Sequence, residues 1–499
     1  MSTSTWGRAR LIIRRRPSRL LAVRLTALLP PLLADPTIDD LVEAAGSRSR
    51  TDRTVVVAPG ARPAVLAAMS LGASGIARAT GAAVPHSSDP VDSAPTSRGE
   101  GTPLLVVTAT GREAEQTAAA LSCYLPATDV AVFPAWETLP HERLSPRADT
   151  VATRLAVLRR LAHPEDGWDA GDRPTGAVPS GVPDAASSGV PDAASSGAPD
   201  PQRGPIRVLV VPVRALLAPV VDGLGELEPV HLAKGLEVGL ESTAERLAAA
   251  AYTRVDMVEN RGEFAVRGGI LDVFPPTLAR PVRVDFFGDE IESVSTFAVA
   301  DQRTIEEIDA VTATACREIV LTDAVRKRAR ALVDVIPGAA DMLGKIAEGI
   351  NCEGMESLAP VLVERMVPLL DLVGDRLVVG LEPERLRKRA EDLVATTAEF
   401  LAAAWTSAAS GGTAPIDLSA AAFAHLAEAR ALALSTNRGW WSLSSLASSP
   451  DIVELPLRDP KGYRGRLEEA VKDLGALARE DWSVVVATDG PGPGRRMAQ

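Results

Sequence analysis

Residues 262–297 read GEFAVRGGILDVFPPTLARPVRVDFFGDEIESVSTF, and this stretch forms an antiparallel sheet by its pattern. Val282, Val284 and Phe286 alternate with Arg283, Asp285 and Phe287, the period-two spacing of a strand with one buried face. Pro275 and Pro276 end the run before it, because proline donates nothing to a ladder and fixes its own φ. Gly268 and Gly269 interrupt the preceding run, where a bulge or a close backbone approach is expected. Gly288-Asp289 supplies the next turn.

Working outward, residues 237–253 read as an amphipathic helix with Leu240, Ala244, Leu247 and Ala251 on one face. Helix and sheet together define a small α+β domain over residues 220–302. Upstream, short apolar runs at 54–59, 104–108, 130–134 and 207–212 alternate with helical stretches at 62–71, 112–125 and 150–162. Continuous apolar strands between helices indicate a doubly wound parallel sheet covered on both faces. This α/β domain is expected over 35–219, with a return to it at 303–380 after the inserted α+β domain. Residues 303–350 are expected to be helical and 377–381 to be a further buried strand. A long helix over 382–404 should turn Leu386, Leu393, Phe400 and Leu401 inward. Residues 381–499 then read as a further small, incomplete α/β domain, with a helix at 467–479 and a strand at 482–488.

Two segments break the pattern. Residues 73–102 are rich in Gly, Ser and Pro, and residues 164–205 contain GVPDAASS twice in succession. With almost nothing apolar to bury, the latter insert is expected to be disordered. Residues 1–34 hold seven arginines and no acid, and lack the apolar core and small-residue cleavage site of a signal peptide. They read as a disordered basic arm, or as residues ahead of the true start.

The net charge of −12 disfavours a chain that coats nucleic acid non-specifically, which needs clustered Lys and Arg. The three cysteines, Cys123, Cys316 and Cys352, have no metal-type spacing, and a reduced, cytoplasmic chain is the simple expectation. No apolar run reaches the roughly 18 residues of a membrane span. His86, His163, His231 and His425 stand alone, without the paired spacing of a zinc site. His141-Glu142 is the one adjacent acid–base pair, and an autonomous hydrolase built on it is the alternative reading. Neither a nucleophile elbow nor a Gly-rich dinucleotide loop is present.

Three ordered motifs carry a family resemblance. Residues 267–275 (RGGILDVFP), 283–293 (RVDFFGDEIES) and 301–304 (DQRT) resemble consecutive strands of the bacterial transcription-repair coupling factors (Mfd) and, more distantly, of the excision-repair protein UvrB. Residues 133–140 (FPAWETLP) with Ser145-Pro146 resemble the coupling factors rather than UvrB. The resemblance runs from about residue 25 to 487. It implies a UvrB-like, degenerate RecA-like α/β domain with the inserted α+β domain as its UvrA-binding part. It also implies that ATP and Mg²⁺, RNA polymerase and double-stranded DNA are bound by domains that follow in the family and whose motifs are not in this chain. Family members release RNA polymerase stalled at lesions using ATP, and recruit excision repair through UvrA.

In UvrB-like relatives the turn after the first strand is a phosphate loop. Here that turn is Ala58-Pro59-Gly60-Ala61-Arg62-Pro63-Ala64, with no lysine and no following hydroxyl, so no cofactor is expected in this chain, and no catalytic or metal residue. The same lack argues against a UvrB-type DNA-loading ATPase. By motif position Arg267 is implied at the UvrA contact, and Arg254 lies one residue from a further basic position. Arg261 and Arg283 join them as polar-face neighbours by the strand pattern. The bland alternative is that Arg267 pairs with Asp272 or Glu263 across the sheet. Phe264, Ile270, Phe274 and Phe286 read as core.

Overall fold

The computed structural model describes residues 25–47, 52–81, 101–139, 142–165, 204–410, 416, 422–447, 452–463, 465–480 and 482–486. His86, His141 and the duplicated GVPDAASS tract lie outside the described residues, as do residues 1–24 of the basic arm. The described residues up to 457 form one compact unit, and the described residues from 458 on belong to a second.

In chain order the strands are β1 (Asp52–Val56), β2 (Leu104–Thr108), β3 (Val130–Val132), β4 (Val208–Pro212), β5 (Val220–Val221) and β6 (Val230–Ala233). Then come β7 (Thr253–Arg254), β8 (Glu263–Arg267), β9 (Ile270–Val273), β10 (Val282–Phe287), β11 (Glu290–Phe297) and β12 (Thr304–Glu307). The last are β13 (Ala310–Ala313), β14 (Met366–Val367), β15 (Leu377–Leu381), β16 (Trp440–Ser444) and β17 (Val453–Glu454).

The apolar runs assemble as a parallel sheet of order β17-β1-β16-β15-β2-β4-β3. Alternate residues feed two cores, which is why these strands are apolar throughout. Leu105, Val107, Leu209 and Val211 pack with helices Ala148–Ala162, Val213–Leu217 and Pro383–Ala409. Leu104, Val106, Val208 and Val210 pack on the other side with helices Pro36–Gly46, Arg62–Thr80 and Gly111–Leu121.

The second large sheet has the order β12-β11-β10-β9-β8-β7 and is antiparallel except for β7 on β8. One face packs Phe264, Leu271, Val282 and Val284 with Leu247 of helix Leu240–Ala249. On the other, Val258, Ala265, Phe274 and Phe297 form a smaller cluster under the segment that joins β7 to β8. Gly268-Gly269 is the two-residue turn of the β8–β9 hairpin, not a bulge, with Gly268 at φ +60°. The expected close approach is present: a Cβ on Gly269 would lie 2.9 Å from the Phe286 carbonyl oxygen. The register shift falls instead in the β10–β11 ladder at Asp285/Phe286, where Glu292 of β11 is the extra residue.

Several expectations are corrected. The chain after Arg303 is not helical at once: β12 and β13 come first, and a helix starts only at Asp323. Thr304-Ile305-Glu306-Glu307 lies at the sheet's edge with mostly exposed side chains, so it lacks the apolar alternation that marks a half-buried strand. Residues 25–33 of the basic arm are helical, with Leu29 fully buried and the Leu25 N–H donating to the Cys123 carbonyl at 2.6 Å. After a kink at Gly72 (φ +65°), helical structure from Arg62 resumes and runs to Thr80, into the stretch read as an insertion. The helix expected over 237–253 is the shorter Leu240–Ala249. Phe400 is 56% exposed on helix Pro383–Ala409, whose buried residues Leu386, Ala390 and Leu393 all lie in its first half. In the second unit the helix Leu467–Arg479 forms as read. Described residues 482–486 are not a strand, and Trp482, Val485 and Val486 are exposed.

Candidate protein-binding face

The strand register decides which arginines are available. Along β8, Glu263, Ala265 and Arg267 share the face opposite the helix. Ala265 pairs with Asp272 and Asp272 with Arg283; at the hairpin end, Arg267 pairs with Ile270 and Ile270 with Asp285. Asp272 is taken by Arg283, which donates to its two carboxylate oxygens at 2.7 and 2.8 Å. The hydrogen bonds it donates to Asp272 hold the Arg283 guanidinium above its usual pKa against the opposing effect of burial. Arg283 also lies 4.7 Å from the Phe297 ring and donates to the Gln302 carbonyl. Arg283 thus braces β9 and β10 from within the sheet, with its side chain still partly exposed.

Glu263 is also occupied. It accepts the Glu259 and Asn260 backbone N–H groups at 2.9 and 2.8 Å and the Asn260 amide at 3.0 Å. Burial pushes its carboxyl up, but these hydrogen bonds outweigh burial and leave it below its usual range. Arg267 therefore pairs with neither carboxylate. It is exposed, donates to the Asp256 backbone carbonyl, and makes no ion pair among the described residues.

The other two arginines are exposed but differently placed. Arg261 donates to the Leu278 carbonyl at 3.0 Å and lies 5.5 Å from the Phe274 ring. Arg254, on edge strand β7, pairs in register with Phe264, which faces the helix, so Arg254 does not sit beside Arg267 on one face. Phe264 and Phe274 are buried, while Ile270 and Phe286 are partly buried. Sequence reasoning passed over Phe287, which is 79% exposed, and Met257, which is 45% exposed. The signal for Phe287 was its place opposite Phe286 in the alternation.

Elsewhere the candidate chemistry is committed to structure. Glu142 accepts the Leu139 N–H at 2.6 Å, His163 meets Glu226 at 2.8 Å and His231 meets Thr312 at 3.1 Å. Among the described residues no group of His, Cys, Asp and Glu could hold a metal. Burial pushes the Cys316 thiol to about 12, so it is no nucleophile near neutral pH. In the turn after β1, Arg62 is ion-paired with Glu382. Burial raises the Glu382 carboxyl, but Arg62 and Ser445 outweigh it and keep it below its usual range. Among the described residues no helix is long and apolar enough to cross a membrane.

A braced antiparallel sheet inserted in a parallel α/β layer defines an α/β protein with an inserted α+β domain. Residues 230–318 match the family described as the UvrB interaction domain. Over 474 residues the chain is 40% identical to the transcription-repair-coupling factor of Mycobacterium bovis, an alignment covering 91% of this chain and 33% of that protein. The factor of Mycobacterium tuberculosis gives the same figures, and that of Myxococcus xanthus is 32% identical over 277 residues, 52% of this chain and 20% of that protein. The chain belongs to the transcription-repair-coupling factor family, and spans about a third of the length of the two mycobacterial relatives.

Proposed function

We propose that this chain carries the repair-recruitment part of a cytoplasmic transcription-repair coupling factor and binds UvrA through the sheet end that bears Arg267. The observation that carries the reading is Arg267 itself, exposed and without a carboxylate partner among the described residues, inside the segment that matches the UvrB interaction domain. A guanidinium so placed suits bidentate pairing with a partner carboxylate. Arg254 and Arg261, both exposed, are secondary contacts in this reading. The whole protein would displace stalled RNA polymerase along double-stranded DNA at the expense of ATP. ATP and Mg²⁺ are assigned to parts of that protein outside this chain, and the chain alone has no ATPase activity in this reading.

Calorimetric titration with purified UvrA tests the proposal. The wild-type chain should bind, and Arg267→Ala should weaken binding by about 2 kcal/mol. An undiminished affinity in the variant would remove Arg267 from the interface, and ATP turnover by the chain alone would contradict the non-enzymatic reading.

A further inference from the structure

Residues 133–139 (FPAWETL) take no part in the inserted sheet, yet they help to build a cleft on the parallel α/β layer. Trp136 and Thr138 come to it from the chain after β3, and Arg214 and Pro219 from the chain after β4. Pro360, Met366 and Phe423 complete its apolar walls. The cleft thus lies outside the carboxyl ends of two neighbouring parallel strands, the edge at which open α/β sheets take ligands.

Most polar groups around the cleft are already spent. Arg154 gives its guanidinium to Glu318 and to the Pro134 carbonyl. Glu356 accepts from Arg317 and from the Ser145 hydroxyl, each at 2.6 Å, and the Trp136 indole N–H is bonded to Glu318. Arg214 is different. Its Nη2 donates to the carbonyls of Glu137 and Thr138 at 3.3 and 2.6 Å, while among the described residues its Nε and Nη1 have no hydrogen-bond partner and it forms no ion pair. The Thr138 hydroxyl is likewise without a partner among the described residues.

The surroundings of Arg214 disfavour its charge. Burial lowers its pKa and the neighbouring Arg389 lowers it further, against the opposing effect of Glu142 and Glu137. Those two carboxylates are engaged elsewhere, Glu142 by the Leu139 N–H and Glu137 by the Thr150 hydroxyl and the Arg147 N–H. A half-buried guanidinium so placed gains from an added anion. The enclosed part of the cleft is small, about 30 Å³, room for about two water molecules or one carboxylate in their place. That excludes a nucleotide. A carboxylate matches the guanidinium and the free hydroxyl, and the apolar walls suit a short hydrocarbon tail.

We infer that this cleft binds a small aliphatic carboxylate, with its oxygens on Arg214 and the Thr138 hydroxyl and its tail against Trp136, Pro219 and Met366. The site is separate from the Arg267 face and does not depend on the UvrA reading.

The test is ligand-observed saturation-transfer NMR on the full chain, with propionate and its uncharged isostere propionamide as probes. Propionate should receive saturation, and propionamide should bind at least about tenfold more weakly. Arg214→Gln should abolish the propionate signal, and Thr138→Val, which keeps the shape and removes the hydroxyl, should weaken binding about threefold. Propionate should also raise the melting temperature of the wild-type chain above that in equimolar sodium chloride. Should Arg214→Gln fail to fold, the propionamide comparison and Thr138→Val still decide the matter. Equal binding of the two probes would overturn the inference, because the cation would then select nothing. Undiminished propionate binding in folded Arg214→Gln, or in Thr138→Val, would place the anion elsewhere and overturn it as well.

Discussion

Arg154 and Arg267 show how differently one residue type is used in this chain. The side chains of Arg154 and Glu318 are 2% and 1% exposed and form an ion pair. Arg154 lies 4.2 Å from the Phe133 ring and 5.5 Å from that of Trp136, and donates to the Pro134 carbonyl at 2.9 Å. The Trp136 indole N–H donates to Glu318 at 3.0 Å. Removing one partner of such a pair strands a buried charge. Glu318→Ala should therefore cost about 3–5 kcal/mol in urea unfolding, whereas replacing both residues with apolar side chains of similar volume should cost far less. Arg267→Ala, at an exposed site without an ion pair among the described residues, should stay within about 0.5 kcal/mol of wild type. A Glu318→Ala protein as stable as wild type would contradict this description of the buried pair. None of this difference was legible beforehand. Trp136 and Glu318 are 182 positions apart in sequence, and no local pattern announces a partner at that range. The Arg283–Asp272 brace was hidden for a related reason: alternation puts both on the polar face, but only the β9–β10 register sets them side by side.

At the scale of elements, buried runs were readable and edges were not. β2, β4 and β15 are apolar at nearly every position because both faces are covered, and such runs identify themselves. The edge strand β12 carries Thr304, Glu306 and Glu307 and looks like loop or helix. The helix Pro383–Ala409 shows the matching failure. Its heptad-like apolar pattern continues through Phe400 and Trp405, yet both are exposed, because a periodicity does not say where the packing partner ends. The Gly268-Gly269 pair was legible as an interruption, but whether it made a bulge or a turn depended on the pairing of β9 with β8 and β10. That turn also yields a prediction. Any side chain at 269 must displace the Phe286 carbonyl, which a Cβ would approach to 2.9 Å. Gly269→Ala should therefore lose about 1–3 kcal/mol of stability, read as a lower urea midpoint. It should also weaken UvrA binding, by shifting Arg267. Wild-type stability in Gly269→Ala would mean that the two hairpins are not pinned together as described.

At the scale of the whole molecule, the large unit is a parallel sheet with two cores and an inserted antiparallel sheet. The order of its α/β strands, with β15, β16 and β17 returning after the insertion, fits a chain that leaves one layer, builds a second and comes back. The alternation of strands and helices made this class legible from the sequence, and the motifs at 267–275, 283–293 and 301–304 pointed to the family. The face that makes contact was only half legible. Arg267 was marked by its motif, while the pairing of Arg283 with Asp272 needed the fold to show it. The most direct measurement of the central claim is amide hydrogen exchange on the chain with and without UvrA. The expected result is added protection confined to the β7–β9 segment, residues 253–270, and to the β10–β11 turn, residues 286–290. Protection confined to the parallel sheet, or an exchange pattern unchanged by UvrA at binding concentrations, would contradict it.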